Sequence, residues 1–418
     1  MKKILFIALM GIIAMGLASC SKDGIEEYGT DDPSGYKMFT SVSSLKTWLA
    51  QQPVNTPESA HKVGLKNINL DNGNNWGDLG IGIKTGQIYI DLDLTNCKGT
   101  AIPDGYQEQE NNYPYTTTIT YGVFIENDYI TAIKLPATLK TVGKWAFKSC
   151  TYLNLVTLPE GLTGIHAHAF DNCRRLKNIS LPKTLKRIGA SAFETCRQLP
   201  TITIPASVTE WEYHSFSGCT LLQSVTIEDG VKVIGEHAFW DCIQLQSLTL
   251  PESIERIEKG AFRHCASLKK ITVPSKVTAI NDLTFHECRR LSEIVLPQGI
   301  KSIGEHAFAK CWELQSVNLP ASLETIDKYA FDDCYNLPQE IEIPDKVKEI
   351  RQNAFDGSSI STFIMRPAMP PALGYNALNT SVPFASLLIK VPAESLDKYK
   401  NAGGEWDRYK DKIVPNTK

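Results

Sequence analysis

Phenylalanine recurs at 147, 170, 193, 216, 239, 262, 285, 308 and 331, every step being 23 residues, and again at 355 after a step of 24. A period of this length held over so many copies marks a linear array of small structural units. Other positions keep the same phase. Ala precedes each Phe except at Ser215 and Thr284, and three residues after the first nine come Cys150, Cys173, Cys196, Cys219, Cys242, Cys265, Cys288, Cys311 and Cys334. Leu follows after three more, from Leu153 to Leu337. The unit reads Leu-Pro-x-x-Leu-x-x-Ile-x-x-x-Ala-Phe-x-x-Cys-x-x-Leu-x-x-Ile-x-Leu-Pro. At 418 residues the chain exceeds the size at which one hydrophobic core keeps growing, and an array escapes that limit.

Within a unit, Ile179 and Leu181 share one face by period-two alternation, and Pro182 ends the strand because it cannot donate a ladder hydrogen bond. A second apolar pair, Leu185 with Ile188, leads into a turn, and Ala192-Phe193 anchors the return to the core. One short strand per unit is therefore expected. No unit can bury its apolar face alone, but copies stacked at ~4.8 Å make a continuous parallel sheet, ~50 Å long for ten copies. The outward strand column reads Thr157, Ser180, Thr203, Thr226, Thr249, Thr272, Val295, Asn318 and Glu342. Its eight polar members form the candidate binding face. Glu228 in place of the strand-ending Pro, and Trp211 in place of Ile, are scattered departures.

These motifs resemble the BspA-like leucine-rich repeat proteins, with the likeness running from Gly122 to Ser361. The resemblance implies a repeat solenoid with a parallel β-sheet on one face, turns and short irregular segments on the other, and caps at both ends. It also implies a surface protein of a host-associated bacterium, of a type in which several members act as adhesins.

The ends of the chain follow different rules. Lys2 and Lys3 precede an apolar run from Ile4 to Leu17, too short to span a bilayer, which reads as a signal peptide over 1–19. Leu17-Ala18-Ser19-Cys20 resembles the bacterial lipobox, implying a lipid on Cys20, and Ser21-Lys22-Asp23 is similar to the export tag of Bacteroidetes lipoproteins. Residues 20–40 are expected to be a tether and 41–120 an N-terminal cap. In that cap, Ser43 to Gln52 reads as a short helix, Tyr89 to Cys97 as a strand with Cys97 opening a divergent first rung, and Gln107 to Thr120 as a loop. The solenoid proper, about ten repeats, occupies 121–360, with Asn127 in the cysteine position of its first rung. A C-terminal cap over 361–418 should hold a strand at Leu387–Val391, a helix at Ala393–Asn401 and apolar Trp406, Tyr409 and Ile413.

Little in the sequence suggests chemistry. Each rung supplies one cysteine in one orientation, which argues for a buried, reduced structural ladder and against a metal cluster. His168, His214, His237 and His306 lie two residues before their Phe and read as exposed turn residues, and His166-Ala167-His168 lacks a third ligand. Arg174-Arg175 and Arg289-Arg290 read as solvated surface. Trp145, Trp211, Trp240 and Trp312 fall at different phases and promise no common platform. No nucleophile elbow, phosphate loop or zinc-protease motif is present in the sequence, and Asp91 and Asp93 have no evident acid/base partner. With 42% hydrophobic and 21% charged residues the chain belongs to the folded class, and a formal charge of −3 gives no reason to expect nucleic acid. The expectation is a monomeric, outer-membrane, surface-exposed lipoprotein without catalytic residues, metal or cofactor, held at the membrane through its lipid and binding a protein or glycan. Glycan capture for nutrient uptake is the alternative, with a structural envelope role behind it.

Overall fold

The computed structural model describes residues 32–110 and 117–417; the expected signal peptide, Cys20 and most of the tether lie outside the described residues, and the tether's expected end is corrected, since Lys37–Phe39 form a strand with Met38 and Phe39 buried. From residue 130 onward the rungs pair in the register that alternation requires. Thr201–Ile204 lies parallel to Ser224–Ile227, and that strand to Ser247–Thr249. Ile202, Val225 and Leu248 are buried, while Thr203, Thr226 and Thr249 are exposed on the opposite face.

The expectation of one strand per unit is corrected. The second apolar pair also builds a ladder, in strands of two residues: Gly164–Ile165, Arg187–Ile188 and Glu210–Trp211 pair in parallel, and the same position recurs as far as Ala372–Leu373. The third wall is made of turns, yet it too is bonded from rung to rung. His168 N, Phe170 N and Asn172 N donate to Ala190 O, Ala192 O and Glu194 O, each at 2.8 Å. His168 and Asn172 hold left-handed backbone (φ 56° and 60°), as do the equivalent residues of most rungs. Such a conformation costs roughly 1–2 kcal/mol per non-glycine residue, and the inter-rung bonds offset it.

Inside these walls the repeat phenylalanines stack face to face. From Phe124 to Phe355 consecutive ring centroids are between 4.9 and 5.8 Å apart, with interplanar angles no larger than 14°. Beside them run the nine cysteines, all fully buried. Each thiol donates to the carbonyl of the preceding rung's Phe, as Cys173 Sγ does to Phe147 O at 3.1 Å and Cys265 Sγ to Phe239 O at 3.3 Å. A small side chain that fills apolar space and still donates one weak hydrogen bond suits this position. Burial pushes the Cys150 and Cys219 thiols up to about 12 and the rest of the ladder in the same direction.

At the N-terminal end, β1 (Lys37–Phe39), β2 (His61–Asn69) and β3 (Ile90–Lys98) extend the main sheet in parallel, joined through α1 (Val42–Leu49) and α2 (Asn75–Gly86). The α2 helix stands where the turn wall of a preceding rung would be. Trp76 sets its edge against Phe124 at 87°, and Gly80 O accepts from Asn127 Nδ2 at 3.1 Å, just as Phe carbonyls accept from thiols further along. Cys97, expected to open a rung, instead lies within β3, one residue before its end, and donates to Leu65 O. The expected loop is corrected as well: Tyr106–Glu110 and Thr117–Tyr121 pair as antiparallel strands.

The far end runs one degenerate rung beyond residue 360, with Ala377-Leu378 in the Ala-Phe position. Phe363 closes the aromatic stack edge-on at 66°, and the strands Leu388–Val391 and Ile413–Pro415 finish the sheet. Short helices at Leu396–Lys400 and Trp406–Tyr409 cover the end, where Tyr399 Oη and Trp406 Nε1 each donate at 2.8 Å to Pro367 O and Pro371 O.

Two of the departures from the repeat prove to be one adaptation. Trp211 enters the core edge-on to Phe216 and Phe239, and its indole N–H donates to Ser215 Oγ at 2.5 Å, so the Ser that replaces Ala serves the Trp that replaces Ile. Ser215→Ala should therefore lose about 1–3 kcal/mol in denaturant unfolding, because a buried donor is orphaned, whereas the same change made in Trp211→Ile should cost little. Equal losses in both backgrounds would refute the coupling. The form starting after Cys20 should leave its nine ladder thiols unmodified by iodoacetamide at pH 8 until denaturant is added; a ladder cysteine alkylated in the folded protein would contradict the burial.

Candidate ligand-binding surfaces

All eight polar residues of the expected binding face lie exposed on the outer side of the main sheet, with Val295 among them. Their bonding divides them. Asn318 is tied to the neighbouring backbone, donating to Leu296 O and accepting from Leu296 N at 3.3 Å each, and Glu342 pairs with Arg366 at 2.8 Å. Among the described residues, the hydroxyls of Thr157, Ser180, Thr203, Thr226, Thr249 and Thr272 bond to no other protein group. Off the sheet face, by contrast, Thr184, Ser207 and Ser322 bridge to carbonyls of the rung before.

The sequence reading missed a second outward column two residues earlier on each strand. Thr201, Ser224 and Ser247 stand in register with one another, beside Thr203, Thr226 and Thr249. Six small hydroxyl residues thus make an uncharged patch on three adjacent strands. The pattern was visible as Thr-Ile-Thr, Ser-Val-Thr and Ser-Leu-Thr once both outward positions are read. Charge returns on the next rungs, where Lys270 and Glu293 pair at 2.6 Å.

The histidines are not the exposed turn residues expected. His168, His214, His237 and His306 are all partly buried because they stack along the solenoid. His214 lies on His237 at 4.9 Å, and His306 on Tyr329 at 4.7 Å. Burial lowers the proton affinity of His237, and the neighbouring His214 adds to it; burial also lowers that of His306. The pair His166 and His168 is not brought together, since His166 Nδ1 faces Asp104 at 3.2 Å. His168 does have carboxylates beside it, contrary to the expectation: ligand atoms of His168, Asp171 and Glu194 lie within 4.8 Å of one another and could hold a cation. Lys148 Nζ already approaches Asp171 at 3.2 Å and supplies positive charge there.

The arginine pairs also differ from simple solvated surface. Arg175 lies over Tyr152 at 4.3 Å, and Arg289 over Trp312 at 4.7 Å. Trp312 and Tyr335 are 38% and 49% exposed on neighbouring rungs, each directly following its ladder cysteine. They border a groove of about 840 Å³. Tryptophan positions alone do not reveal this pair, because a Trp and a Tyr share the one phase. No helix of the described residues is long and apolar enough to cross a membrane.

Among solved structures the chain is similar to a leucine-rich repeat protein from Bacteroides ovatus, at 24% identity over 76% of this chain and 91% of that one, with a TM-score of 0.46. A leucine-rich cell surface protein from Faecalibacterium prausnitzii matches at 22% identity, over 69% and 90% of the two chains, with a TM-score of 0.40. The pneumococcal vaccine antigen PcpA matches at 18% identity, over 77% and 84%, with a TM-score of 0.42. A search of curated proteins gave no match. The BspA type leucine-rich repeat region matches residues 117–246 and 233–362, in six copies. With more than half of its length matched, its cysteines and phenylalanines in phase and its rungs stacked in parallel, the chain belongs to the BspA-type leucine-rich repeat family.

Proposed function

We propose that this protein is a surface-displayed, lipid-anchored binding module, and that the exposed face of its main sheet is where it meets a protein of a host or a neighbouring bacterium. The single observation that carries this reading is the six-hydroxyl patch of Thr201, Thr203, Ser224, Thr226, Ser247 and Thr249, whose side chains are in register and bond to no other protein group among the described residues. Structural needs explain the inward positions of these strands; they leave the outward ones open. With Thr157, Ser180 and Thr272 the hydroxyl column extends over six rungs, ~24 Å at the parallel-strand spacing, a length suited to a standard protein interface. Thr is also a good strand former, so the lack of intramolecular partners is the stronger part of the argument. The lipid on Cys20 would hold the module at the membrane, with the residues between it and β1 as its tether.

The test is an array of host matrix proteins and bacterial envelope proteins probed with the form starting after Cys20. Binding is expected, and Thr226→Lys with Thr249→Lys should weaken it at least tenfold while the circular dichroism spectrum is unchanged, because both positions are exposed. Full-length protein should reach the cell surface and lose membrane retention on Cys20→Ala. Binding that tolerates both lysines, or none to any protein, would refute the sheet-face reading.

A further inference from the structure

The groove beside Trp312 and Tyr335 lies away from the sheet face, on the turns between ladder cysteine and main strand. Its origin is a change of side-chain volume along one column. The residues directly after the cysteines run Ile243, Ala266, Arg289, Trp312 and Tyr335 on successive rungs, so Ala266, with Ser267 next to it, leaves a recess before the long side chains begin. Five rungs span ~19 Å at the strand spacing, which makes the recess an elongated trough.

Its lining combines two partly exposed aromatic rings, Trp312 with one face covered by Arg289, with polar groups. Arg289 is fixed, stacked on Trp312 and paired with Glu287 at 2.9 Å. Arg290 and Glu313, both exposed, form no ion pair or side-chain hydrogen bond among the described residues and offer a donor and an acceptor on neighbouring rungs. Gln244 and Asn336 add an amide at each end. Among the described residues of the lining, the unpaired charges of Arg290 and Glu313 are opposite in sign, so they single out neither an anion nor a cation as ligand. The electron-rich ring faces attract weakly positive C–H groups, and polar groups at the rim suit hydroxyls, so the trough fits a molecule that carries both along its whole length.

We infer that this trough binds an unbranched neutral oligosaccharide, lying along the solenoid axis with pyranose faces against Trp312 and Tyr335 and hydroxyls on Arg290 and Glu313. The ring-to-ring repeat of an extended glycan is close to one rung, so successive sugars meet successive rungs. This site is independent of the sheet face.

The test is calorimetric titration of the form starting after Cys20 with a panel of unbranched neutral hexasaccharides spanning β-1,4 and α-1,4 glucans, β-1,4 mannan and β-1,4 xylan. At least one should bind. Trp312→Ala and Tyr335→Ala should each weaken that binding at least tenfold, Tyr335→Phe should retain most of it, and Thr226→Lys with Thr249→Lys should leave it unchanged. Trp fluorescence of the wild type should shift on titration, a signal lost in Trp312→Ala. Absence of binding across the panel, or binding indifferent to both aromatic substitutions, would overturn the inference. Since the sheet-face lysines affect only the protein interaction, the two readings fail separately.

Discussion

Every rung of this protein depends on the next through repeated contacts of fixed length. Parallel strands pair at one spacing, and phenylalanine rings packed face to face settle at nearly the same one, here between 4.9 and 5.8 Å. Because both are satisfied by a translation of one rung, the chain must return to the same point after every turn, and a 23-residue unit does so. The single 24-residue step, before Phe355, keeps Phe331 and Phe355 stacked at 5.3 Å, with the extra residue absorbed around Pro338 and Gln339. Perfect face-to-face stacking is not the preferred geometry for an isolated aromatic pair. It is imposed by the walls, and both ends of the stack revert to edge-on contacts, at Trp76 and Phe363.

That arrangement separates two kinds of position. Inward residues are fixed by volume and by the hydrogen bonds they must supply: the thiol at each ladder position, Asn127 at the first, and Ser215 wherever a Trp must be accommodated. Outward residues answer to fewer such demands, Asn318 and Glu342 being ones that bond to neighbouring rungs. The outward columns carry two different surfaces: a flat hydroxyl patch on the sheet, and an aromatic trough on the turns a few rungs further along. Neither surface disturbs the core beneath it.

Much of this was legible in the sequence because the inward pattern repeats. Phe, Cys and Leu in phase imply the solenoid, the main sheet and its outward column without further information. The second sheet escaped notice because strands of two residues, such as Arg187–Ile188, leave no alternation to read. Helix α2 was missed for another reason. Its sequence Asn-Trp-Gly-Asp-Leu-Gly-Ile-Gly carries glycines where a helix former would be expected, and they are there for close approach: a Cβ on Gly80 would come within 1.8 Å of Val123 O. Packing against the first rung thus erased the local helical signal. The aromatic trough was missed because Trp312 and Tyr335 are chemically alike but differently named, and because the small Ala266 that hollows it is noticed only by comparison along the column.

The dependence of each rung on its neighbours alone can be tested by excising one whole unit. Deleting residues 251–273 joins Leu250 to Pro274 and preserves the Leu-Pro junction and every column. If inter-rung contacts are what hold the protein together, the shortened chain folds, keeps its circular dichroism per residue, unfolds cooperatively, and is shorter by ~4.8 Å in small-angle scattering. A shortened chain that fails to fold, or whose dimensions do not contract, would show that the stack relies on contacts beyond its nearest neighbours.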